Sequence, residues 1–370
     1  MKKLGFGCMR LPATAGGDQI DLQQFSRMVD EFLAHGFTYF DTSYVYHGGR
    51  SEGALKTALV ERHPRESFTI TTKLPVFLVK EKADTRRYFT EQLARLGTDY
   101  VDYYWLHALN QSGYENAVRL HVFEEVSQLK QEGKIRHLGF SFHDSAAVLD
   151  RILTEHPEME YVQLQLNYFD WDSEVVQSGA CYEVAARHHR PVIVMEPVKG
   201  GALAKVPSEI ETLFRKKQPK LSDASWAIRY AASLDNVMMV LSGMSNMEQL
   251  EDNISCMEHF QPLDAEEQKI IEEAVRIYDR QKAVDCTSCG KCLPVCPERI
   301  PIPTYLEMYN DHCRMNKYTN GMVYYASFPS GSGKASACTG CGRCEAVCPQ
   351  KLHIAELMKD VKTAFEWSMV

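Results

Sequence analysis

SFTITTKLPVFLVKEKADTRRYFTEQLARLGTDYVDYYWLH, residues 67–107, decides the fold. It opens on a β-branched run (67–75), passes through a polar segment of helical period (84–96) that ends at Gly97, and closes on DYVDYYWLH (99–107). Strands buried on both faces read as near-continuous apolar and aromatic runs, and a helix between two of them forms a parallel crossover. Glycine after the helix permits a left-handed cap, and Gly36 and Gly133 repeat that signal.

The same unit recurs on either side. Further strand-like runs are LGFGCMRL (4–11), FTYFDTS (37–43), IRHLGFSF (135–142), YVQLQLN (161–167), PVIVMEP (191–197) and VMMVLSG (237–243). Helical segments follow near 22–35, 51–62, 115–132, 144–155, 174–189, 222–234 and 246–256. Within 115–132, Val118, His121, Val122, Glu125, Val126 and Leu129 fall on one face. Eight strand-then-helix units predict the α/β class and closure into a (β/α)₈ barrel over residues 1–260. A doubly wound open sheet is the alternative, and no G-x-G-x-x-G follows the first strand to support it.

At 370 residues the chain has room for a second, smaller domain. Asp264-x-x-Glu267 reads as a capping box that starts a connecting helix within 261–283. Residues 284–370 then form a small, mostly helical domain. Ile302, Tyr305, Leu306, Tyr309 and Cys313 mark one helix there, and Ile354, Leu357, Met358, Val361 and Phe365 mark the last. SGSGKAS (330–336) reads as a flexible loop.

The net charge of −8 argues against nucleic acid as a partner, because phosphate-tracking surfaces need clustered cations. The basic run Arg215-Lys216-Lys217 reads as a solvated loop. No apolar stretch approaches the roughly 20 residues that span a bilayer. MKKLGFGCMRLP lacks the apolar core of a signal peptide, so a cytoplasmic protein is expected.

Twelve cysteines in such a chain point to metal or redox chemistry rather than disulfides. Cys8, Cys181, Cys256 and Cys313 are scattered and read as buried structural thiols. The other eight form two identical runs, Cys286-x₂-Cys289-x₂-Cys292-x₃-Cys296-Pro297 and Cys338-x₂-Cys341-x₂-Cys344-x₃-Cys348-Pro349. Three cysteines at two-residue gaps wrap one corner of a 4Fe–4S cubane, and in two-cluster ferredoxins the fourth ligates the other cluster. One cluster is expected on Cys286, Cys289, Cys292 and Cys348, the other on Cys338, Cys341, Cys344 and Cys296. Gly290, Gly340 and Gly342 let the backbone approach the sulfides. Structural zinc is the competing reading, but zinc sites use paired C-x₂-C knuckles without the third cysteine and the Cys-Pro end. The runs resemble the bacterial-type ferredoxin domain, in its α-helical variant, whose clusters relay single electrons. That resemblance implies an external electron-transfer partner.

In a barrel the chemistry sits at the C-terminal ends of the strands. The second strand ends in Asp41, followed by Tyr44, Tyr46 and His47; the third ends in Lys73, the fourth in His107, the fifth in Ser141 and His143. A tyrosine with an ordinary pKa near ~10 is a poor acid at neutral pH unless its anion is stabilised. A neighbouring Lys⁺ does that, an aspartate keeps the lysine charged, and a histidine can hydrogen-bond a carbonyl oxygen.

This ordered set resembles the aldo-keto reductase family over about residues 4–260, through DTSYVYHGGRSE, TTK and YWLH. The resemblance implies that Asp41, Tyr46, Lys73 and His107 are catalytic, with Tyr46 the proton donor to a small carbonyl substrate. It implies nicotinamide contacts at Ser141, Gln163 and Asn167, and Gly200-Gly201 beneath the pyrophosphate. Within SGMSNMEQLEDN (242–253), Gly243, Gln249 and Asn253 occupy the adenosine-phosphate positions. There are departures: Phe142 follows Ser141 where asparagine is common, and Met195 replaces a stacking tyrosine. The segment 242–253 holds no Lys or Arg to select the 2′-phosphate, which favours NADH over NADPH.

The reading is an NAD(P)H-dependent oxidoreductase that reduces an aldehyde or ketone, or runs the reverse, coupled to two 4Fe–4S clusters. Hydride carries two electrons and each cluster takes one, so a flavin is a possible further cofactor. The alternatives are a non-catalytic redox sensor, which the intact set of four argues against, and an electron-transfer subunit of a larger complex.

Overall fold

The structure, a computed structural model, describes every residue except 1, 18, 316–323, 326–330 and 367–370. Eight parallel strands close into a barrel in chain order: β1 Leu4–Gly7, β2 Tyr39–Asp41, β3 Thr69–Leu74, β4 Val101–Leu109, β5 Ile135–Phe142, β6 Tyr161–Gln165, β7 Val192–Met195 and β8 Val237–Gly243. β8 returns to β1, with Leu4 opposite Val240 and Gly7 opposite Gly243. Tyr39, Tyr103, Trp105, Ile193, Met239 and Leu241 cluster inside the barrel. Trp105 faces Gly139 in the β4–β5 register, and a Cβ on Gly139 would lie 2.2 Å from the indole. That glycine is what lets the ring fill the interior.

Gly36, Gly97 and Gly133 all have positive φ, as expected. The helix expected over 115–132 is two, Gln111–Arg119 and Val122–Gln131. His121, at φ 57°, interrupts the i→i−4 ladder and redirects the chain, so Val118 and His121 face solvent while Val122, Phe123, Val126 and Leu129 face the core. The basic run is not a loop. Arg215, Lys216 and Lys217 form the last turn of the helix Ser208–Lys217, where cations suit the negative end of the helix dipole. Arg215 also pairs with Glu211, and Lys217 with Glu266. Cys8, Cys181 and Cys256 are buried; Cys313 is exposed on its helix, contrary to expectation.

The connecting helix Ala265–Asp279 begins with the full capping box of Asp264 and Glu267. Glu267 is nearly fully buried and receives two bonds from Arg229, at 2.9 and 3.0 Å. The C-terminal region is a pseudo-duplication. Ser288 and Gly340, Gly290 and Gly342, and Arg299 and Lys351 take equivalent positive-φ positions in the two cysteine runs. The helices Ile302–Arg314 and Ile354–Phe365 start at the same offset from their runs. In SGSGKAS, Ser330 lies outside the described residues, and the rest is pinned rather than free. Gly333 donates to the Arg299 carbonyl and accepts from the Tyr305 hydroxyl, and a Cβ there would lie 2.1 Å from the Glu298 oxygen.

This region sits on the β5–β7 side of the barrel's C-terminal mouth. Val175 and Val176, after β6, pack into its apolar core. Arg314 lies over the Phe169 ring, and Asp311 stands 3.9 Å from Lys199.

Candidate active site and cluster sites

Asp41, at the end of β2, and Lys73, near the end of β3, lie in neighbouring strands and meet at the mouth. The Lys73 ammonium uses three donors: to Asp41 Oδ1 at 2.5 Å, to the Thr42 carbonyl at 2.9 Å and to the Tyr46 hydroxyl at 3.2 Å. Tyr46 is delivered by the tight turn Tyr46–Gly49, in which His47 and Gly48 both have positive φ. His47 Nε2 accepts from the Leu11 N–H at 3.1 Å and so ties the turn to the loop after β1. Tyr44 points elsewhere, bonding Glu91 at 2.8 Å beneath the Arg95 guanidinium. His107 lies edge-on to Tyr46, centroids 5.9 Å apart, and its Nδ1 is 3.1 Å from Ser43 Oγ.

The serine and glutamate that close DTSYVYHGGRSE hold strands together. Ser51 donates to the Cys8 carbonyl and accepts from Thr42, while Glu52 accepts from Thr72 and Gln92.

Burial and charge set the protonation states. Burial raises the Asp41 carboxyl, against the pull of Lys73. Burial alone would lower Lys73, but Asp41 and the Tyr46 oxygen outweigh it and the ammonium is held above its ordinary value. Burial raises the Tyr46 phenol, with Lys73 offsetting part of the rise. His107 is driven well below its ordinary value by burial, then by the charge of Lys73, and stays neutral.

A cleft of about 210 Å³ opens beside Tyr46. Gln163, Gly200, Gly201, Gly243, Gln249 and Asn253 all line it, with Met195. Gln163 also reaches Asp41 Oδ2 at 3.3 Å, and Asn253 bonds Ser242 at 2.7 Å. Gly200 and Gly201, at φ 64° and 104°, turn the loop after β7 so that its backbone faces the cleft.

Ser141 and Asn167 are placed differently. Ser141 Oγ accepts from the Ala108 N–H at 2.7 Å, steadying the left-handed residue next to His107. Asn167 is fully buried; it donates to Asp170 and the Glu196 carbonyl and accepts from Phe169 and Asp170. It shapes the loop after β6 and does not line the cleft.

Two cleft residues went unread in the sequence, Arg10 and Glu196, which face each other at 3.4 Å. Both follow strand ends, the position that flagged Asp41. Lys199 is held away from the cleft by Asp170 at 2.5 Å.

The eight cysteines fall into the two sets that the spacing predicts. Cys286, Cys289, Cys292 and Cys348 surround one hollow; Cys338, Cys341, Cys344 and Cys296 surround another. Among the described residues no three such ligands converge on a point that would hold a single metal ion. A hollow ringed by four thiols with close backbone at Gly290, Gly340 and Gly342 fits a cubane.

Barrel, strand-end set and paired thiol hollows together define an oxidoreductase with an iron–sulfur module. Residues 3–276 match the aldo/keto reductase family and residues 285–353 the 4Fe-4S dicluster domain. The chain belongs to the aldo/keto reductase family. It is similar to the uncharacterized oxidoreductase YqkF of Bacillus subtilis, 24% identical over 287 residues, covering 69% of this chain and 86% of that one. L-galactose dehydrogenase of Arabidopsis thaliana is 26% identical over 295 residues, covering 73% and 88%. Among solved structures, an aldo-keto reductase from Bacillus halodurans in its holo form superposes with a TM-score of 0.60 at 26% identity, covering 74% and 91%. An aldo-keto reductase from Klebsiella pneumoniae in complex with NADPH shares the fold, with a TM-score of 0.58 at 20% identity over 73% and 90%. No described helix is long and apolar enough to cross a membrane.

Proposed function

We propose that the barrel reduces a small aldehyde or ketone with a reduced nicotinamide, and that the C-terminal domain holds two 4Fe–4S clusters that connect the protein to an external electron partner. The observation that carries the reading is Lys73. Its buried ammonium is ion-paired to Asp41 and donates to the phenol of Tyr46 at the edge of the cleft. A buried pair of this kind holds a permanent positive charge beside a hydroxyl that lines the cleft.

Tyr46 keeps its proton at neutral pH because burial outweighs Lys73 in the resting state. When negative charge develops on a carbonyl oxygen, Tyr46 gives up that proton and Lys73 stabilises the phenolate. Asp41 holds Lys73 in place. His107 is neutral and its Nδ1 lies 3.1 Å from Ser43 Oγ; with the Ser43 hydroxyl donating to Nδ1, the ring proton sits on Nε2. That leaves Nε2–H of His107 to orient the carbonyl. A bound nicotinamide supplies the hydride. Gln163, Gly200, Gly201, Gly243, Gln249 and Asn253 are the residues that would hold it, and the tetrathiolate sets would hold clusters that move single electrons.

The test is Tyr46→Phe. It removes the proton donor and leaves the cleft intact, so carbonyl reduction should fall by about 10²-fold or more. Nicotinamide binding, followed by fluorescence, should stay nearly unchanged. Wild-type activity on every reducible carbonyl would refute the reading.

A further inference from the structure

Tyr324 belongs by sequence to the spacer between the cysteine runs, yet its side chain is only 7% exposed and faces the barrel. Its ring stands edge-on to His143, centroids 5.7 Å apart. His143 follows β5 directly, and its N–H bonds the carbonyl of Leu109, two residues beyond His107. Phe77 also packs against His107, centroids 5.8 Å apart, with more than half of its surface exposed.

The neighbouring residue explains how a spacer can hold a fixed position. Tyr325 stacks on Phe365 at 5.6 Å and packs on Tyr305 at 4.6 Å. Its hydroxyl bonds Glu366 and accepts the Ala335 N–H at 2.8 Å. Tyr325 is thus anchored in the cluster domain, and the next residue back is presented to the barrel mouth. Tyr324 also shares an apolar core with Val176 from the loop after β6.

We propose that Tyr324 is a wall of the substrate chamber, supplied by the cluster domain, and that it selects short, uncharged carbonyl compounds. The inference rests on the carbonyl-reducing reading of the barrel. In this proposal the rings of Phe77, His107, His143 and Tyr324 form the neutral side of the chamber, through the ring contacts Tyr46–His107, His107–Phe77 and His143–Tyr324, while Arg10 and Glu196 stand on the cofactor side of Tyr46. His143 is held near pKa 4 by burial, so it brings no charge at neutral pH. Its Nδ1 is buried and has no hydrogen-bond partner among the described residues. A substrate chain growing away from the carbonyl toward His143 meets the Tyr324 ring. The cluster domain therefore shapes which substrates the barrel accepts, besides any role in electron transfer.

The experiment compares the full-length holoenzyme, Tyr324→Ala and Tyr324→Trp on straight-chain aldehydes of about three to nine carbons, under anaerobic conditions. Each methylene that gains an apolar site is worth about fourfold in binding. Tyr324→Ala should raise kcat/KM for the longest aldehydes relative to the shortest by about tenfold or more. The gain should appear in KM, with kcat nearly constant. Tyr324→Trp should shift the preference toward the shortest. Iron content equal to wild type shows that each variant retains its clusters, and the tryptophan variant decides if the alanine variant fails to fold. An unchanged length profile, or a uniform loss across all lengths, overturns the chamber wall while leaving the carbonyl-reducing reading standing. A wild-type enzyme that reduces no member of the series overturns both.

Discussion

Replacing Lys73 with methionine removes the charge beside Tyr46 while keeping most of the side-chain volume. In the structure that charge lies 3.2 Å from the Tyr46 oxygen. At an effective dielectric near ~20, a full phenolate at this distance gains roughly 5 kcal/mol from the ammonium. A half-developed charge in the transition state gains about half of that, roughly 2.5 kcal/mol, which is about 10² in rate. Lys73→Met should therefore lower kcat by about 10²- to 10⁴-fold. It should leave nicotinamide affinity within a few-fold, because Lys73 is buried beneath the cleft. A second effect must be separated from the first. The substitution strands Asp41, whose buried carboxyl is already raised above its ordinary value. Without its cation it is raised further. A carboxyl whose folded pKa exceeds the unfolded one binds more protons when folded, so the variant loses stability as pH rises through that window. Asp41→Asn combined with Lys73→Met should restore stability and not activity. Steady-state kinetics with thermal denaturation across pH reads both. A Lys73→Met enzyme with a third of the wild-type kcat, properly folded, would refute the phenolate argument.

Three further outcomes follow from the same structure. Cys296→Ser should damage the cluster held by Cys338, Cys341 and Cys344, not the one nearer in sequence; anaerobic iron and sulfide analysis should fall from about eight of each per chain, and zinc in their place would sink the cluster assignment. Glu267→Gln should destabilise the protein by about 3–5 kcal/mol, since it leaves Arg229 buried without its carboxylate. Burial alone would raise the Glu267 carboxyl, but Arg229 holds it below its ordinary 4.5. Its stabilising contribution is therefore present above pH 4.5 and lost as pH falls through the lowered value, and denaturation curves of the variant should lack that part of the acid dependence. NADH should bind at least as well as NADPH, because Asp252 lines the cleft and Lys199 is tied to Asp170; NADPH tighter by more than about tenfold in direct titration would point to Arg10 as the selecting cation.

The barrel was legible because its strands are buried on both faces and announce themselves as β-branched and aromatic runs, each followed by a helical period. Asp41, Lys73 and His107 were legible for the same reason, since a strand end in a parallel barrel is a position at the mouth. Tyr46 needed the motif, because nothing local separates it from Tyr44, which turns outward to Glu91. The helix Ser208–Lys217 was hidden because it buries only Ile210 and Phe214, too sparse a stripe to stand out beside its charges. The break at His121 is a single backbone choice with no compositional signal. Ser141 Oγ also accepts the Ala108 N–H, and Asn167 bonds Phe169, Asp170 and the Glu196 carbonyl, contacts between loops that no spacing rule sees. Tyr324 was unreadable for a different reason. Its partner His143 is far away in the chain, and only the docking of two domains brings them together.

The most direct measurement of the central claim follows one hydrogen. Incubated anaerobically with NADH deuterated at the transferring position of C4 and an aldehyde substrate, the enzyme should yield an alcohol carrying one deuterium on the former carbonyl carbon, and Tyr46→Phe should yield almost none. Hydride chemistry in the barrel moves that atom directly. Turnover that gives unlabelled alcohol would mean that the hydrogen reaches the carbonyl carbon from water, through single-electron steps or an exchanging carrier such as a reduced flavin, and would contradict direct hydride transfer from the nicotinamide.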